Sequence, residues 1–542
     1  MKRILYSLSI ILLLAGCNED FLVKTPTTSL VVENFYKSPK DAEQALTAAY
    51  NMMLYDDWWS PYIYSEQASD NCAGGGGSGD GGGYPRNDRG LTQPDVSANQ
   101  TCWKTYYGGI YRCNTYIQNE QIIDWTGKEN LQKQYLAEAR FLRAYYHFSL
   151  AQMFGEIPAI TEILAPNFVP ERTPADQLYT IILDDLKYCA ENGLSAPYSS
   201  MQNENWGRIT KWAGQAMLAR VFLYYTGYYG QESLGEYTSA SVLTYVEDCI
   251  NNSGHDLVPQ FASLWRVPSR SELGDIGLYA GEKHPETVWA ITYDIQGTTN
   301  WDKLQRMIGP RNYNLEPYGN GWGAIPVLPS LWKLYDNDDS RKKATILSWD
   351  DEGLTYDYVT QQQAQYTGYN SKKYMEGAIG NQNEITALGG TSWQTKPFED
   401  VMKIRFSDVL LMGAELRVLS NGAGDGTALS YLNRVRERAF GNSSKNYTSA
   451  SIDNIIMERR LELACEGLRY WDILRSCKGD FSKLVGILTY VDENDGGDFA
   501  NSSDAWSLDV DGNNFAIKKG LFQIPQNELD LMEGIIEQNP GF

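Results

Sequence analysis

Side chains suited to bond-making chemistry are few and poorly grouped in this sequence. Three histidines, His147, His255 and His284, are spread over 542 residues, which leaves little for imidazole metal sites or catalytic triads. Glu458 and Glu462 stand four apart, so a helix would put them on one face, as paired catalytic or di-iron carboxylates. Di-iron sites pair a Glu with a His three residues later, and neither glutamate has one. Arg459, Arg460 and Arg469 nearby point to a structural ion-pair network instead. Glycosidase carboxylates about 5–10 Å apart can come from anywhere in a fold, so a hydrolase stays open at this point. Ser78 lies in a glycine run, Gly74 to Gly83, but Asp80 stands where a nucleophile elbow needs its second glycine. The run also lacks the Lys-Ser/Thr of a phosphate-binding loop and reads as a flexible loop. Asp509-Val510-Asp511-Gly512-Asn513 offers hard oxygen ligands for a structural calcium. Its spacing departs from the EF-hand, and it reads as a solvated acidic turn, so no cofactor is expected.

Cysteine adds little. Cys102 and Cys113, and Cys465 and Cys477, are too far apart within helical segments to form disulfides. There is no Cys-x-x-Cys, so most cysteines read as small hydrophobes. What the chain has in excess is polar-edged aromatic surface: 15 Trp and 37 Tyr against 16 Phe. Such rings suit half-wet surfaces better than dry cores. Lys plus Arg total 46 against 68 Asp plus Glu, a net charge of -22. That balance disfavours nucleic acid as a partner and docking on anionic lipid through a basic patch. A hydrophobic content of 42% is enough for a sizeable core.

The elements that must position these side chains are mostly helices. Helical spacing of apolar residues marks 40–55, 102–120, 135–154, 209–229, 238–251, 401–419, 425–440 and 452–476. The segment 135–154 has two apolar stripes separated by Arg140, Arg143 and His147, so it must lie between neighbours. Ala213, Ala216 and Ala219 are small enough to admit a close helix. The expected fold is all-α in the main: tetratricopeptide-like stacked helical hairpins, long irregular loops and minor β structure. Two irregular stretches, 56–101 and 256–400, are longer than ordinary loops, and function is expected on them.

The N-terminus sets the compartment. Lys2 and Arg3 precede an apolar run, Ile4 to Leu14, too short to span a bilayer and suited to a signal peptide. Leu14-Ala15-Gly16-Cys17 then resembles a bacterial lipoprotein signal, with lipid on Cys17. Cleavage there would remove two basic residues and take the charge from -22 to -24. The mature chain is expected to be anchored to a membrane rather than threaded through it. The expected divisions are a signal peptide (1–16), an N-terminal helical region (17–255), a loop-rich region (256–400) and a C-terminal region (401–542).

The run from Ile455 to Asp472, Ile-Ile-Met-Glu-Arg-Arg-Leu-Glu-Leu-Ala-Cys-Glu-Gly-Leu-Arg-Tyr-Trp-Asp, resembles the C-terminal signature of the SusD/RagB family. As a single helix it would bury Met457, Leu461, Ala464, Leu468 and Trp471. Other segments resemble the family in the same order. They include Ala139 to Tyr146, Phe154-Gly155-Glu156-Ile157-Pro158, Gly207 to Ala213, Tyr431 to Arg436 and the ending Gln538-Asn539-Pro540-Gly541-Phe542. Phe21-Leu22 and Asn34-Phe35-Tyr36 fit as well. The resemblance implies a surface lipoprotein of the outer membrane that captures a nutrient, usually a glycan, without catalysis. It also implies a SusC-like TonB-dependent transporter as partner. RagB-type members imply peptide capture as an alternative.

A glycan binder needs flat rings for the apolar sugar faces and polar groups for the hydroxyl edges. The first irregular stretch offers Trp58, Trp59, Tyr62, Asp70, Asn71, Tyr84, Arg86 and Asn87; the second offers Trp301, Tyr313 and Trp322. Trp103 and Trp212 fall in helical family segments and are expected in the core.

Overall fold

The structure is a computed structural model describing residues 35–55, 61–77, 84–92, 97–201, 205–293, 303–313, 316–375, 377, 399–493 and 507–542. Cys17, Trp58, Trp59 and Trp301 lie outside the described residues.

Among the described residues, ten of the helices make the body, and local sequence chemistry sets their ends. The first, α1 (Pro39–Tyr50), starts where the Asp41 carboxylate accepts the Ser38 backbone N–H at 2.8 Å, and it buries Ala42, Leu46 and Ala49. It is followed by α2 (Ser97–Asn119), α3 (Glu129–Phe154), α4 (Ala175–Asn192), α5 (Lys211–Tyr229) and α6 (Ser239–Asn252). After the second irregular stretch come α7 (Phe406–Asn421), α8 (Gly426–Phe440), α9 (Ile452–Glu462) and α10 (Arg469–Ser476). Thr210, Thr238, Asp425 and Ser451 cap α5, α6, α8 and α9 through side-chain oxygens that accept first-turn N–H groups.

Each helix packs mainly on its neighbour in the chain, from α2 against α3 through to α7 against α8. That is the stacked, tetratricopeptide-like arrangement, and the fold is mainly all-α. α6 meets α7 directly although the whole second irregular stretch separates them. Small residues let neighbours approach: a Cβ on Gly227 of α5 would stand 2.4 Å from the Arg475 carbonyl oxygen of α10.

Three sequence expectations change here. α4 was not among the segments read as helical, yet it explains the polar stripe on α3. Arg143 Nε and Nη2 donate to Asp185 of α4 at 2.7 and 2.8 Å, so the stripe is a buried ion pair between two helices. Residues 401–405 are a strand, paired antiparallel with Thr287–Ile291, and the helix begins only at Phe406. The segment 452–476 is two helices, because Cys465 and Gly467 take left-handed backbone angles (φ 61° and 77°). Met457 is therefore exposed, while Leu461, Ala464 and Trp471 are buried.

That break also redirects the charges of the segment. Glu458 and Glu462 are fully buried and form ion pairs, but their partners come from elsewhere in the chain. Arg341 donates to Glu458 at 2.6 Å and Glu462 at 3.2 Å, and Arg436 donates to Glu458 at 2.8 Å. Arg405, at the end of the 401–405 strand, donates to Glu286, Glu462 and Glu466 at 2.5, 2.8 and 2.8 Å. Arg438 reaches Glu286 at 3.0 Å and also Glu462. Arg459 instead pairs with Asp408 and Asp472. Arg460 and Arg469 pair with Asp70 at 2.9 and 2.7 Å. Burial works against ionised Glu462, but Arg438, Arg405 and Arg341 outweigh it and hold its carboxyl well below the usual range.

The aromatic excess is not mainly at the surface. Tyr64, Tyr106, Tyr116, Tyr146, Tyr179, Tyr318, Tyr374 and Tyr470 are fully buried. Many of their hydroxyls tie elements together: Tyr146 donates to the Ala49 carbonyl at 2.7 Å and Tyr470 to that of Gly520 at 2.8 Å. The ring fills the core while the hydroxyl satisfies a distant backbone carbonyl. Trp103 and Trp212 are buried as well.

Candidate ligand-binding face

The two irregular stretches meet. After the short helix Pro61–Gln67, residues 73–77 run beside 321–326. Ala73 N–H donates to the Pro326 carbonyl at 2.8 Å, Gly75 to Ala324 at 3.0 Å and Gly76 to Gly323 at 2.6 Å. On the other edge, Ala364 N–H donates to the Gly76 carbonyl at 2.8 Å. Glycine is needed here for space. A Cβ on Gly75 would lie 2.2 Å from the Gly323 oxygen, and one on Gly77 would lie 2.3 Å from the Arg311 guanidinium. The described part of the glycine run, Gly74–Gly77, is thus a buried, hydrogen-bonded strip rather than a flexible loop; residues 78–83 lie outside the described residues.

Alongside this strip lies a continuous set of rings. The edge of Tyr313 meets Trp349 at 4.7 Å, Trp349 stacks on Tyr356 at 4.7 Å, and Tyr356 lies 5.5 Å from Tyr366. Tyr366 stacks on Tyr358 at 4.7 Å with planes 11° apart. Trp349, Tyr356 and Tyr366 are buried, whereas Tyr313 and Tyr358 are half-buried and form the outer members. Polar ties hold the set: Tyr356 Oη donates to the Arg311 carbonyl at 2.6 Å, and Trp349 Nε1 to Asn370 Oδ1 at 3.0 Å. The turn that carries Tyr358 is shaped by Asp357, which accepts the Thr360 N–H at 3.0 Å and its hydroxyl at 2.6 Å. Trp322, also half-buried, packs against a cluster of buried apolar residues that includes Tyr84, Met307 and Val327.

Among the described residues, two polar atoms in this set lack partners. Gln363 Nε2 donates to the Gly323 and Ala364 carbonyls at 2.9 and 2.7 Å, but Gln363 Oε1 accepts nothing. Tyr313 Oη is likewise buried without a partner. Burial, and then the charge of Glu352, raise the Tyr313 phenol above its ordinary value, so it remains a neutral donor. Leaving buried polar atoms unsatisfied costs about 1–3 kcal/mol each.

The residues singled out from sequence fall into two layers. Tyr313 and Trp322 belong to the face itself. Tyr62, Asn71, Tyr84 and Asn87 are buried beneath it: Tyr62 donates to the Cys465 carbonyl, and Asn87 Nδ2 to Gln67 Oε1 at 2.9 Å. Asn71 Oδ1 accepts from Arg460 at 3.0 Å. Asp70 is taken up by Arg469 and Arg460, which overcome the effect of burial and keep its carboxyl below the ordinary range. Arg86 is half-exposed on the short helix Tyr84–Asn87. Sequence reading passed over Trp349, Tyr356, Tyr358 and Tyr366. Their close spacing, with Tyr356 and Tyr358 on either side of Asp357, was the available signal.

The Asp509–Asn513 run closes on itself. Asp511 Oδ1 accepts the Asn513 N–H at 2.9 Å and its side-chain amide at 2.7 Å. A larger groove of about 920 Å³ opens between α5, α7, α9 and α10, but no aromatic ring lines it. Its Arg469, Arg475 and Glu415 are already ion-paired.

Residues 285–542 match the SusD family, and residues 21–223 match a family described as starch-binding associating with outer membrane. These two matches, which together cover most of the chain, make it a SusD-like protein. Among SusD-like relatives, one from Bacteroides ovatus is 25% identical, with 85% of this chain and 80% of the relative covered. SusD-like protein P2 of Formosa agariphila is 26% identical, with 88% and 91% covered. Surface glycan-binding protein A from Bacteroides fluxus superposes with a TM-score of 0.74 at 25% identity, covering 93% of this chain and all of that one. The Bacteroides thetaiotaomicron protein of that name, in complex with laminarihexaose, gives 0.72 at 25% identity, with 93% and 100% covered.

Residues 1–18 match the prokaryotic membrane lipoprotein lipid attachment site. This SusD-like chain is therefore a lipid-anchored protein of the outer membrane, with Cys17 at the end of the matched segment. Among the described residues, no helix is long and apolar enough to cross a membrane. Cys17→Ala is expected to move the protein from the membrane to the soluble fraction after cell fractionation. Retention of the variant on membranes would show that the anchor lies elsewhere.

Proposed function

We propose that this face binds a glycan at the cell surface without cleaving it, and that the bound chain passes to a SusC-like TonB-dependent transporter. The observation that carries the reading is the half-buried ring edge of Tyr313, Tyr358 and Trp322 beside the unpartnered Tyr313 Oη and Gln363 Oε1. Rings cover the C–H faces of a sugar, and the two polar atoms meet its hydroxyls. Trp58, Trp59, Trp301 and Arg86 are proposed to extend the face. Two carboxylates of this region have structural work: Asp357 shapes its turn, and Glu352 pairs with Lys372 and accepts from Tyr318. Relatives named as glycan-binding, one of them in complex with laminarihexaose, support the ligand class. A lipid on Cys17 would confine the protein to the plane of the transporter, which raises effective concentration so that modest affinity suffices.

Electrophoresis of the purified protein through gels containing neutral polysaccharides is expected to show retardation by at least one of them. Incubation with that polysaccharide should release no shorter products. Migration unchanged across the panel, with binding to peptides instead, would reject the glycan reading; released oligosaccharides would reject the absence of catalysis.

A further inference from the structure

Below the face, one carboxylate oxygen and two sulfurs converge in a buried pocket of side chains. Cys72 Sγ lies 4.0 Å from Cys465 Sγ and 3.8 Å from Glu66 Oε2. The three potential ligand atoms are all within 4.8 Å of one another, and all three residues are buried. Around a tetrahedral ion with metal–sulfur bonds of about 2.3 Å, neighbouring ligand atoms stand about 3.7 Å apart. The two separations at Cys72, 4.0 and 3.8 Å, are close to that edge length, and the third is within 4.8 Å.

Backbone contacts hold each ligand in place. Cys72 bridges antiparallel to Val327. Cys465 takes a left-handed φ of 61°, unusual for a residue with a side chain, and its carbonyl accepts from Tyr62. Gly467 N–H donates to Glu66 Oε1 at 2.7 Å, which leaves Oε2 turned towards the sulfurs. A buried carboxylate ordinarily gathers strong N–H donors or a cation; Glu66 has the backbone N–H groups of Gly467 and Leu468, and its Oε2 also faces the Cys72 thiol, a weak donor. Burial accordingly pushes the Glu66 carboxyl up to about 7 and the Cys72 thiol well above its ordinary value.

We propose that Glu66, Cys72 and Cys465 form a thiolate–carboxylate site for a soft divalent cation of the Zn²⁺ class. The ion replaces the protons of the two thiols and, where present, of the carboxyl, and these leave to solvent as it binds. Thiolates select such an ion over Mg²⁺ or Ca²⁺. With three protein ligands, one coordination position is left for water. The charge left over, two thiolates and a carboxylate on a dication, is one negative; Lys373, which favours the ionised form of Glu66, is itself paired with Glu466 at 2.8 Å. The site would clamp the strip-bearing segment 61–77 to the turn between α9 and α10, and so fix the floor of the binding face.

The test is elemental analysis of the full mature chain, purified without chelator from cells grown with added zinc. Close to one zinc per chain is expected, retained in Cys113→Ser and lost in both Cys72→Ser and Glu66→Gln. Growth with cobalt in place of zinc should give a thiolate-to-cobalt absorption band in the near ultraviolet. Glu66→Gln keeps the side-chain shape, and the metal content of the unaltered chain decides the matter even if a cysteine variant does not fold. Three outcomes overturn the proposal: a metal-free chain with seven reactive thiols on denaturation, zinc retained in both ligand variants, or a Cys72–Cys465 disulfide recognised by the loss of two hydrogens in mass.

Discussion

Arg405→Met is expected to lower the unfolding free energy by about 3–5 kcal/mol, the usual cost of breaking a buried ion pair from one side. Arg405 is 1% exposed and faces Glu286, Glu462 and Glu466 at once. Removing its guanidinium leaves Glu286 and Glu462 to Arg438 and Arg341, and Glu466 to Lys373. Arg434→Met is the contrasting control. Arg434 pairs with Asp256 where both side chains are well exposed, at 41% and 61%, and such surface pairs contribute about 0–1 kcal/mol. Urea unfolding followed by circular dichroism compares the two. Equal, small effects would mean that the buried web does not hold the fold.

The same web fixes an acid limit. The carboxyls of Glu462, Asp408 and Asp70 all lie below their ordinary range in the folded chain, because arginines outweigh burial. A depressed folded value means that the stabilisation is complete above the unfolded values, about 3.9 for Asp and 4.3 for Glu. It is lost progressively as pH falls below them towards the folded values. The melting temperature of the unaltered chain should therefore drop steeply below about pH 4. In Arg405→Met, with the Glu462 carboxyl less depressed, the fall should begin near the same pH but be shallower, because less stabilisation is left to lose. A melting temperature flat from neutrality down through that range would remove the argument.

Much of this was legible in the residues and some was not, for reasons that differ by element. Capped, periodic segments such as α5 and α8 announce themselves through Thr210, Asp425 and their apolar spacing. That Glu458 and Glu462 serve ion pairs also followed from the arginines in their segment. Their actual partners did not, since Arg341 and Arg405 approach from the second irregular stretch and its closing strand. Local periodicity carries no information on contacts more than fifty residues apart in sequence, such as Arg405 with Glu462. The break between α9 and α10 was hidden for a related reason. Cys465 has no local preference for a left-handed backbone, and tertiary contacts from Tyr62 and Glu66 hold the turn. The face was half visible: Tyr313 and Trp322 could be picked from a loop rich in rings, but Tyr62, Asp70 and Asn87 looked equally exposed in sequence and lie beneath it. Composition cannot separate a tyrosine that ties a core from one that meets ligand, because both uses need an apolar ring and a polar tip.

Single alanine substitutions at Tyr313, Tyr358 and Trp322 are expected to include at least one that weakens glycan binding by about 2 kcal/mol or more, close to thirty-fold. Tyr313 and Tyr358 are the outer ends of a supported ring set: Trp349 meets one and Tyr366 stacks on the other, so neither has to be ordered when ligand arrives. Preorganised rings give contact area at little entropic cost. Tyr313→Phe separates the two roles of that residue. It keeps the ring against Trp349 and removes only the unpartnered hydroxyl; a loss of about 0.5–1.5 kcal/mol is expected if that hydroxyl bonds a sugar. If the hydroxyl has no ligand to meet, removing it from a buried position should leave affinity unchanged and the fold no less stable. Trp58→Ala and Trp301→Ala, tested with the same polysaccharide, establish whether the face extends into the neighbouring loops. Isothermal titration gives the affinities, and matched melting curves exclude unfolding. Wild-type binding by all of the ring variants, together with loss of binding on altering Lys478 in the ring-free groove beside α10, would move the ligand to the opposite kind of surface, one read by charge and not by aromatic stacking.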